Sequence, residues 1–412
     1  MTRSARLVLV VPVVLAVQLS VLTIGITDDY RLKHEDNNAL HATFARSHLR
    51  LGFETTKAQN YFYTPAAESG TFYANHPPGP GVVLAAVYRL TGHDGPTVTR
   101  ATAIMFHMLS TVLFLGFACR VSRDQWDASF ATLVFVLLPE SAFFGRMMNH
   151  EVLVLPAGIL LVWSYWESVN ATERAPGWQA VSVVACVWAA LAGWAGFFVI
   201  AACILHAAWE AVFRQNARGR KSLVLLIGLG GLLFLADVAH LAWVQEESLT
   251  HLRDLFASRI GLDADYGAAW RIGRILEVHW RYFSLTGMVA LAVLAYRGIR
   301  DMRLGATTDP LTDVGLIFFV AGASYIIVFN LNAAQHDYWQ FLLLPASAIA
   351  ITTGLRCLHT TAQKSRRRVY QALLILACAE VIITAGFTLS QRHMKTEAYC
   401  LETVEALRRD VL

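Results

Sequence analysis

Apolar segments of membrane-spanning length recur along the whole chain, and this feature limits its fold more than any other. Crossing the hydrocarbon core takes about 20 predominantly apolar residues in a helix, and residues 7–26 and 223–243 are two segments that meet this requirement. Of the 412 residues, 56% are hydrophobic and only 16% are charged, which is too little charged surface for a soluble domain. The sequence therefore predicts an all-α, polytopic membrane protein with about 11 transmembrane helices.

The distribution of Lys and Arg sets the predicted orientation of these spans. Short cytoplasmic loops are enriched in both residues. One strongly basic predicted loop, residues 214–221, contains Arg214, Arg218, Arg220 and Lys221. This pattern places the N-terminus in the cytoplasm and makes residues 27–97 and 245–282 two long extracytoplasmic loops. We see no boundary of a soluble domain, so residues 1–412 are predicted to form a single membrane domain.

Charge and cysteine usage exclude several classes of protein. The net charge of +4 is small and spread along the chain, which argues against a nucleic-acid partner. The six cysteines show no metal-ligand spacing, so we expect neither a zinc site nor a disulfide framework. The first apolar segment is longer than the core of a signal peptide, and we predict that it stays in the protein as an uncleaved helix.

A polar stretch directly after the first apolar segment is the leading candidate for a functional region. It consists of Lys33, His34, Glu35, Asp36, Asn37 and Asn38. Ionisable residues beside a bilayer are costly unless they are solvated or paired, and in membrane proteins they usually mark function. Residues 39–51 have apolar side chains at helical spacing, so Asp36 is a suitable N-cap and Gly52 a suitable stop for a helix. Capping does not account for the neighbours of Asp36, and we predict that Asp36 or Glu35 is catalytic.

Other polar residues fall on the same predicted face of the membrane and extend the candidate site. His76 precedes Pro77 and Pro78, which are suited to start an interfacial helix at residues 78–91. Arginine suits phosphate because its planar group donates two parallel hydrogen bonds. The predicted substrate-binding residues are His34, Asn37, Lys57, His76, Glu151, Arg271, Arg274, His336, Asp337 and Tyr338. A structural role as loop residue, interfacial anchor or solvated charge stays open for each of them.

The order of these motifs resembles that of the GT-C glycosyltransferases. The residues that carry the resemblance are Asp36, Ala45–Arg46, Gly52, His76–Pro77–Pro78, Glu151 and His336–Trp339. They are most similar to the branch of protein O-mannosyltransferases and bacterial lipid A aminoarabinose transferases. Many members of that branch carry Asp-Glu directly before the helix. If the Ala-Arg pair sets the register, those positions are Asn37 and Asn38 here, and the acid lies one or two residues earlier.

The resemblance implies an integral enzyme, expected in a bacterial inner membrane, that takes a sugar from a polyprenyl-phosphate donor. The sugar would pass to a hydroxyl group of a lipid or glycan acceptor on the non-cytoplasmic face, with Asp36 as the base. Because phosphate leaves without a second bond between sugar and enzyme, a single displacement with inversion is the simpler expectation. A divalent metal, Mg or Mn, held by Asp36 and Glu151 is a further possibility.

Two other classes of function stay open at this point. A secondary transporter would place polar residues at the membrane midplane, in broken helices and often in internal repeats. The polar clusters here lie in predicted outer loops and the chain shows no repeat, which favours the enzyme. A GT-C-like membrane protein without activity is the third class, because asparagines occupy the two positions where many relatives carry acids.

Overall fold

The computed structural model of the protein is almost entirely helical. It describes residues 3–30, 34–64, 69–122, 124–170, 175–245, 247–262, 266–304, 309–361, 376, 379–387 and 390. Lys33 of the polar stretch and half of the last predicted span, at residues 370–389, lie outside these ranges. The only strands within them, β1 (Tyr61–Thr64) and β2 (Ser69–Phe72), pair as one antiparallel hairpin that the sequence did not predict.

Fifteen α-helices make up the rest of the described fold. They are α1 (Arg3–Leu22), α2 (Glu35–Thr55), α3 (Gly79–Thr91), α4 (Pro96–Val121), α5 (Gln125–Leu137), α6 (Pro139–Phe144), α7 (His150–Asn170), α8 (Ala175–Ala192), α9 (Ala195–Val212), α10 (Ala217–Val244), α11 (Ser248–Arg259), α12 (Ala268–Leu304), α13 (Pro310–Val328), α14 (Asn330–Gln335) and α15 (Leu344–Thr361). A 3₁₀ helix, Asp337–Leu343, leads directly into α15.

Eight helices within the described ranges are long and apolar enough to cross a membrane. They are α4, α7, α8, α9, α10, α12, α13 and α15 with its preceding 3₁₀ turn. Two shorter apolar helices, Val10–Leu22 and Gln125–Leu137, match two further predicted spans. Helix α10 exposes large apolar side chains such as Val224, Leu232 and Leu235, as a helix that faces lipid does. The prediction of an all-α, polytopic membrane fold is confirmed.

The helix after the polar stretch begins earlier than predicted. Helix α2 starts at Glu35 rather than at residue 39, and its N-cap is His34, which has a left-handed backbone with φ 64°. Asp36 therefore lies in the first turn and is not an N-cap, which corrects the capping interpretation. Gly52 interrupts the helix with φ 78°, ψ 161°, a conformation that glycine adopts readily, and the predicted stop lies where expected.

The helix predicted at residues 78–91 is present as α3, and its interfacial position stays a prediction. Its 13 residues extend for about 20 Å, which is too short for the hydrocarbon core. Helix α3 packs against α2 through Gly81, where a Cβ atom would lie 2.8 Å from Oδ1 of Asn60 and 3.0 Å from Cβ of Phe44. This close approach of the two backbones requires a residue without a side chain at position 81.

Helix α12 departs from the predicted topology. The sequence placed a loop up to residue 282 and a span from residue 284, whereas α12 already begins at Ala268. Ser284 breaks the helix with φ 65°, ψ 163°, which leaves backbone N–H groups without helical acceptors. The carboxylate of Glu380 accepts hydrogen bonds from the N–H groups of Leu285 (2.7 Å) and Thr286 (3.0 Å). The break is thus stabilised by an acid from a distant part of the chain.

The chain divides into two compact units. The first comprises residues 1–21, 108–144 and 265–390, and the second comprises residues 22–107, 145–264 and 391–412. In the first unit, α15 packs against α5, α12 and α13. In the second unit, α7 to α10 pack against one another and α2 packs against α3 and β1. The assignment of residues 1–412 to a single domain stays a prediction.

Candidate active site

The start of α2 is held by a buried group of ions in the second unit. We define the Glu35 cluster as Glu35, Asn38, Arg100 and Arg146. Glu35 is 3% exposed, Arg100 is fully buried and Arg146 is 4% exposed. Charged side chains are almost never this buried unless they are paired, so the contacts within the cluster decide whether the first turn of α2 is stable.

Both carboxylate oxygens of Glu35 accept hydrogen bonds within this cluster. Arg100 donates from Nε to Oε1 (3.2 Å) and to Oε2 (3.3 Å), and Arg146 donates from Nη2 to Oε1 (3.2 Å). Asn38 donates from Nδ2 to Oε2 at 2.6 Å. Hydrogen bonds between ionised partners are roughly twice as strong as neutral ones. Both oxygens of Glu35 are consequently hydrogen-bonded to other side chains, although the sequence analysis placed this residue among the catalytic candidates.

The two arginines also bind the backbone that follows α1. Arg100 donates to the carbonyl groups of Ile26 (2.8 Å), Asp28 and Asp29 (3.1 Å), and Arg146 donates to the carbonyl of Ile24. Burial lowers the pKa of Arg146 from its ordinary value, while Glu35 opposes this effect. The cluster therefore connects α2, α4 and the segments around residues 24–29 and 146–148.

Asp36 differs from Glu35 although the two are adjacent. Its side chain is half-buried, and the described residues contribute no hydrogen bond or ion pair to its carboxylate. Asn37 is also half-buried, and His34 forms the N-cap. A carboxylate that keeps its oxygens free can accept a proton from a bound hydroxyl group. The two adjacent acids therefore differ: the carboxylate of Glu35 is bound by other side chains, and the carboxylate of Asp36 is not bound by any described residue.

The start of α7 lies close to the same region. Met148 donates its backbone N–H to Oδ1 of Asn38 at 2.7 Å, and Asn149 caps α7 by accepting from the N–H of Val152 at 2.9 Å. Glu151 follows in the first turn of α7 and is 3% exposed. These contacts bring the segment that carries Glu151 next to the first turn of α2, as the sequence predicted.

A histidine group lies next to the start of α7. We define it as His41, His76, His150 and Arg259. The rings of His76 and His150 stack at 4.3 Å, and His41 packs edge-on against His150 at 5.1 Å. Arg259 donates from Nη2 to Nε2 of His76 at 3.0 Å. Because arginine has no acceptor, Nε2 of His76 is the acceptor in this contact.

Burial keeps further histidines of α2 uncharged. Burial holds the pKa of His41 well below its usual range, and the neighbouring His150 adds to this effect. Burial also lowers the pKa of His48 to about 4, while its Nδ1 lies 2.8 Å from Oγ1 of Thr56. These rings pack as apolar and hydrogen-bonding groups at neutral pH and add no positive charge to the region.

Lys57 lies away from the polar stretch and binds the end of α10. Its Nζ donates to the carbonyl groups of Trp243 (3.0 Å) and Val244 (2.8 Å), and the ammonium lies 5.3 Å from the centroid of the Trp243 ring. A cation at the carbonyl end of a helix is favourable. Phosphate binding by Lys57, which the sequence proposed, would compete with these contacts and stays a prediction.

The remaining predicted residues lie in the first unit. Asp337 is buried, accepts a hydrogen bond from the hydroxyl of Tyr282 at 2.9 Å, and lies 3.8 Å from Nη2 of Arg274. Arg274 also pairs with Glu277 at 2.7 Å. The rings of His336 and Tyr338 are 5.5 Å apart. This unit therefore gathers Arg274, His336, Asp337 and Tyr338, whereas Arg271 is a half-buried residue of the same helix as Arg274.

Several residues of these clusters were missed by the sequence interpretation. The sequence analysis did not single out Arg100 or Arg146, although the guanidinium groups of both bind Glu35. A lone arginine inside an apolar segment is expensive, and this signal could have marked Arg100. No local pattern marks His41, His150 or Arg259, because their partners are distant in sequence.

The residues described contain no group of three or more His, Cys, Asp or Glu side chains placed to hold a metal ion. Metal sites built from oxygen ligands usually need more donors than two carboxylates. The arrangement therefore does not fit a dedicated metal site, and we assign no step of a reaction to a metal. A shared metal at Asp36 and Glu151 stays a prediction.

Comparison with solved structures identifies the architecture. AglB from Archaeoglobus fulgidus, an archaeal oligosaccharyltransferase in complex with an inhibitory peptide and a dolichol-phosphate, matches 93% of this chain with a TM-score of 0.61 and 12% identity. The match covers 56% of AglB, so the chain spans about half the length of that protein. A second structure of the same enzyme, in complex with Zn and sulfate, matches 92% of this chain and 53% of its own, with a TM-score of 0.59 and 15% identity.

A bacterial enzyme has a similar fold. ArnT from Cupriavidus metallidurans bound to undecaprenyl phosphate matches 100% of this chain and 78% of its own, with a TM-score of 0.56 and 15% identity. No protein-family model matches the chain, and no curated protein matches it by sequence. Similarity at this level of identity defines the fold alone. The chain therefore has the fold of the GT-C membrane glycosyltransferases.

Proposed function

We propose that this protein is a membrane glycosyltransferase that moves a sugar from a polyprenyl-phosphate donor to a hydroxyl group of a lipid or glycan acceptor. The proposal places the reaction on the non-cytoplasmic face of the membrane. The observation that carries it is the contrast between two adjacent acids in a GT-C fold. Glu35 is buried and bound by two arginines, while Asp36 is half-buried and its carboxylate is not bound by any described residue.

The proposed role of Asp36 is that of the general base. It would take the proton of the acceptor hydroxyl group as the oxygen of that group attacks the anomeric carbon of the donor sugar. General-base help of this kind contributes roughly 10²–10⁴ in rate. Glu35 is a poor candidate for this role, because both of its oxygens already accept hydrogen bonds from arginine side chains or from Asn38.

The proposed role of the cationic residues is to hold the departing phosphate. Arg274 is the strongest candidate in the first unit, since its guanidinium is partly exposed and is oriented by Asp337 and Glu277. His336 and Tyr338 flank Asp337, the acid that lies 3.8 Å from Arg274. ArnT was solved with undecaprenyl phosphate bound. Preorganised donors of this kind stabilise a leaving group without reorganising during the reaction. A single displacement of this type inverts the anomeric centre.

The acceptor side is proposed to lie near the starts of α2 and α7. His34, Asn37, His76 and Glu151 carry polar groups at or near the starts of α2 and α7. Nε2 of His76 accepts a hydrogen bond from Arg259, and in this arrangement the ring suits a contact with a hydroxyl group. A sugar or lipid hydroxyl is therefore the group that we propose these residues bind.

A direct transfer assay tests the proposal. The purified protein in proteoliposomes would be given radiolabelled polyprenyl-phosphate sugar and a lipid extract of the native membrane. We expect label to move to a lipid or glycan fraction with the wild-type chain and not with Asp36→Asn. Counter-flow of labelled sugar across the same vesicles without any covalent product would instead support a transporter.

A second measurement identifies the acceptor. Mass spectrometry of envelope glycans and lipids from a deletion strain should show the loss of one sugar from one class of molecule. Restoring the wild-type gene should restore that sugar, and Asp36→Asn should not. Unchanged envelope glycans, together with no transfer in vesicles, would favour the inactive GT-C-like protein.

A further inference from the structure

We infer that Arg100 and Arg146 are positioning residues for sugar transfer, which act through Glu35 and Asn38 to hold the first turn of α2 and the carboxylate of Asp36 in one orientation. This inference rests on the proposed function, because it takes Asp36 as the base. It gives the buried Glu35 a defined role and adds two arginines that do not touch the substrate.

The first turn of α2 needs such support because its own capping is weak. His34 at the N-cap makes no side-chain hydrogen bond to the helix, and its left-handed φ of 64° is unfavourable for a residue with a side chain. The first four N–H groups of a helix have no partners within the helix. Without another anchor, the turn that carries Asp36 would be free to fray.

The Glu35 cluster supplies that anchor from one side of the turn. Glu35 and Asn38 are three residues apart and therefore lie on the same face of α2. They bind each other at 2.6 Å and bind Arg100 and Arg146 on the buried side. Asp36 follows Glu35 by one residue and points to a different side of the helix. The buried face is fixed by four side chains, and the face of Asp36 stays accessible.

The anchor is rigid because each arginine is itself fixed at more than one point. Arg100 binds three backbone carbonyl groups between residues 26 and 29 in addition to Glu35. Arg146 binds the carbonyl of Ile24, and the amide of Asn38 accepts from the N–H of Met148. Side chains that are locked by surrounding contacts hold a reacting group within the small tolerance that catalysis requires.

The cluster also places charged groups next to residue 36. Two buried guanidinium groups bind the carboxylate of Glu35, and the carboxylate of Asp28 also acts electrostatically on Arg146. The charge of the anchor supplies a readout that packing alone would not produce. Removing one guanidinium group should make residue 36 less attractive to anionic reagents.

The first experiment compares steady-state transfer by Arg100→Lys, Arg146→Lys and Asn38→Ala with the wild type. Misplacing a reacting group by about 1 Å can cost on the order of 10²-fold in rate, so we expect kcat to fall by about 10- to 100-fold with the donor KM unchanged. Asn38→Ala removes no charge and is the mildest of the three. Asp94→Asn is the control. It breaks the exposed ion pair between Asp94 and Arg46, a residue of α2, and should leave kcat unchanged.

The second experiment does not need an active enzyme. Asp36→Cys is labelled with an anionic and a cationic thiosulfonate of similar size, and the labelling of protein that retains Asp36 is subtracted. We expect Arg146→Gln to lower the ratio of the anionic to the cationic labelling rate, while Asp94→Asn leaves this ratio unchanged. Protein with no transfer activity but with this response to Arg146→Gln would contradict the proposed function and keep the anchor. The same rate ratio in every background, or wild-type kcat in all three variants of the first experiment, would overturn the inference.

Discussion

Arg146 and Glu35 form a buried ion pair in which Nη2 lies 3.2 Å from Oε1, although 111 residues separate them along the chain. Removing two ions from water is costly, and their mutual attraction offsets this cost only if the remaining polar atoms are also satisfied. Arg100 and Asn38 meet that condition by binding the same carboxylate. This relationship explains why the first turn of α2 has a defined position in the second unit.

Replacing Glu35 should destabilise the protein strongly. Glu35→Gln removes the carboxylate that binds both buried guanidinium groups, and breaking a buried pair in this way costs about 3–5 kcal/mol. Thermal unfolding in detergent, followed by the loss of helical signal, measures the change. The exposed pair of Arg46 and Asp94 provides the control, since Asp94→Asn should cost only about 0–1 kcal/mol. Equal unfolding midpoints for the two variants would contradict the structural role of Glu35.

Replacing Asp36 should affect turnover rather than stability. Asp36→Asn keeps the size of a half-buried side chain whose carboxylate is not bound by any described residue, so the unfolding midpoint should stay at the wild-type value. The loss of a general base should lower kcat by roughly 10²–10⁴. Transfer of radiolabelled sugar in proteoliposomes measures this effect. Near-wild-type turnover in Asp36→Asn would show that another residue takes the proton.

The proposed phosphate contact predicts an effect on donor binding. Arg274→Lys keeps a positive charge but removes the planar pair of donors that suits phosphate, so the donor KM should rise with a smaller change in kcat. Arg253 is an exposed arginine that pairs with its neighbour Asp254, and Arg253→Lys provides the matched control. A donor KM that does not respond to Arg274→Lys would remove this residue from the proposed site.

The buried histidines predict how stability depends on pH. His48 has a pKa of about 4 in the folded protein, below its ordinary value of 6.5, so the unfolded chain binds more protons between these two values. Stability should therefore be constant above pH 6.5 and should decrease as the pH falls toward 4, by at most about 1.4 kcal/mol per pH unit for each such group. His41 acts in the same direction.

Unfolding midpoints between pH 7.5 and 5 test this dependence. The wild type should lose stability over this range, and His48→Gln should lose less because one titrating group is gone. Greater stability at the lower pH would contradict the buried, neutral state of His48.

The contact between α2 and α3 predicts a strong effect of a single methyl group. In Gly81→Ala the added Cβ would lie 2.8 Å from Oδ1 of Asn60 and 3.0 Å from Cβ of Phe44, so the two helices must separate. Overpacking of this kind costs about 1–3 kcal/mol and should lower the unfolding midpoint. Gly228→Ala in α10, where an added Cβ meets no atom within 4 Å, should not lower it.

The local hydropathy pattern was sufficient to predict the apolar helices, because mean hydropathy over about 20 residues depends only on consecutive residues. It predicted a short helix at α3 and an interruption at Gly52, both of which the structure shows. It did not predict the early start of α2, the β-hairpin or the break of α12 at Ser284. Each of these depends on partners elsewhere in the chain, such as Glu380 for the break.

The sequence by itself determined that this chain is a polytopic helical membrane protein and that acids cluster after its first span. Only the tertiary structure decided which of the two adjacent carboxylates, Glu35 or Asp36, is bound by other side chains. Glu35 meets Arg100 and Arg146 from positions 65 and 111 residues away, and no periodicity or spacing within the polar stretch encodes such a contact. Burial and pairing are set by the fold as a whole: they hold Glu35 between two arginines, and no described residue binds the carboxylate of Asp36.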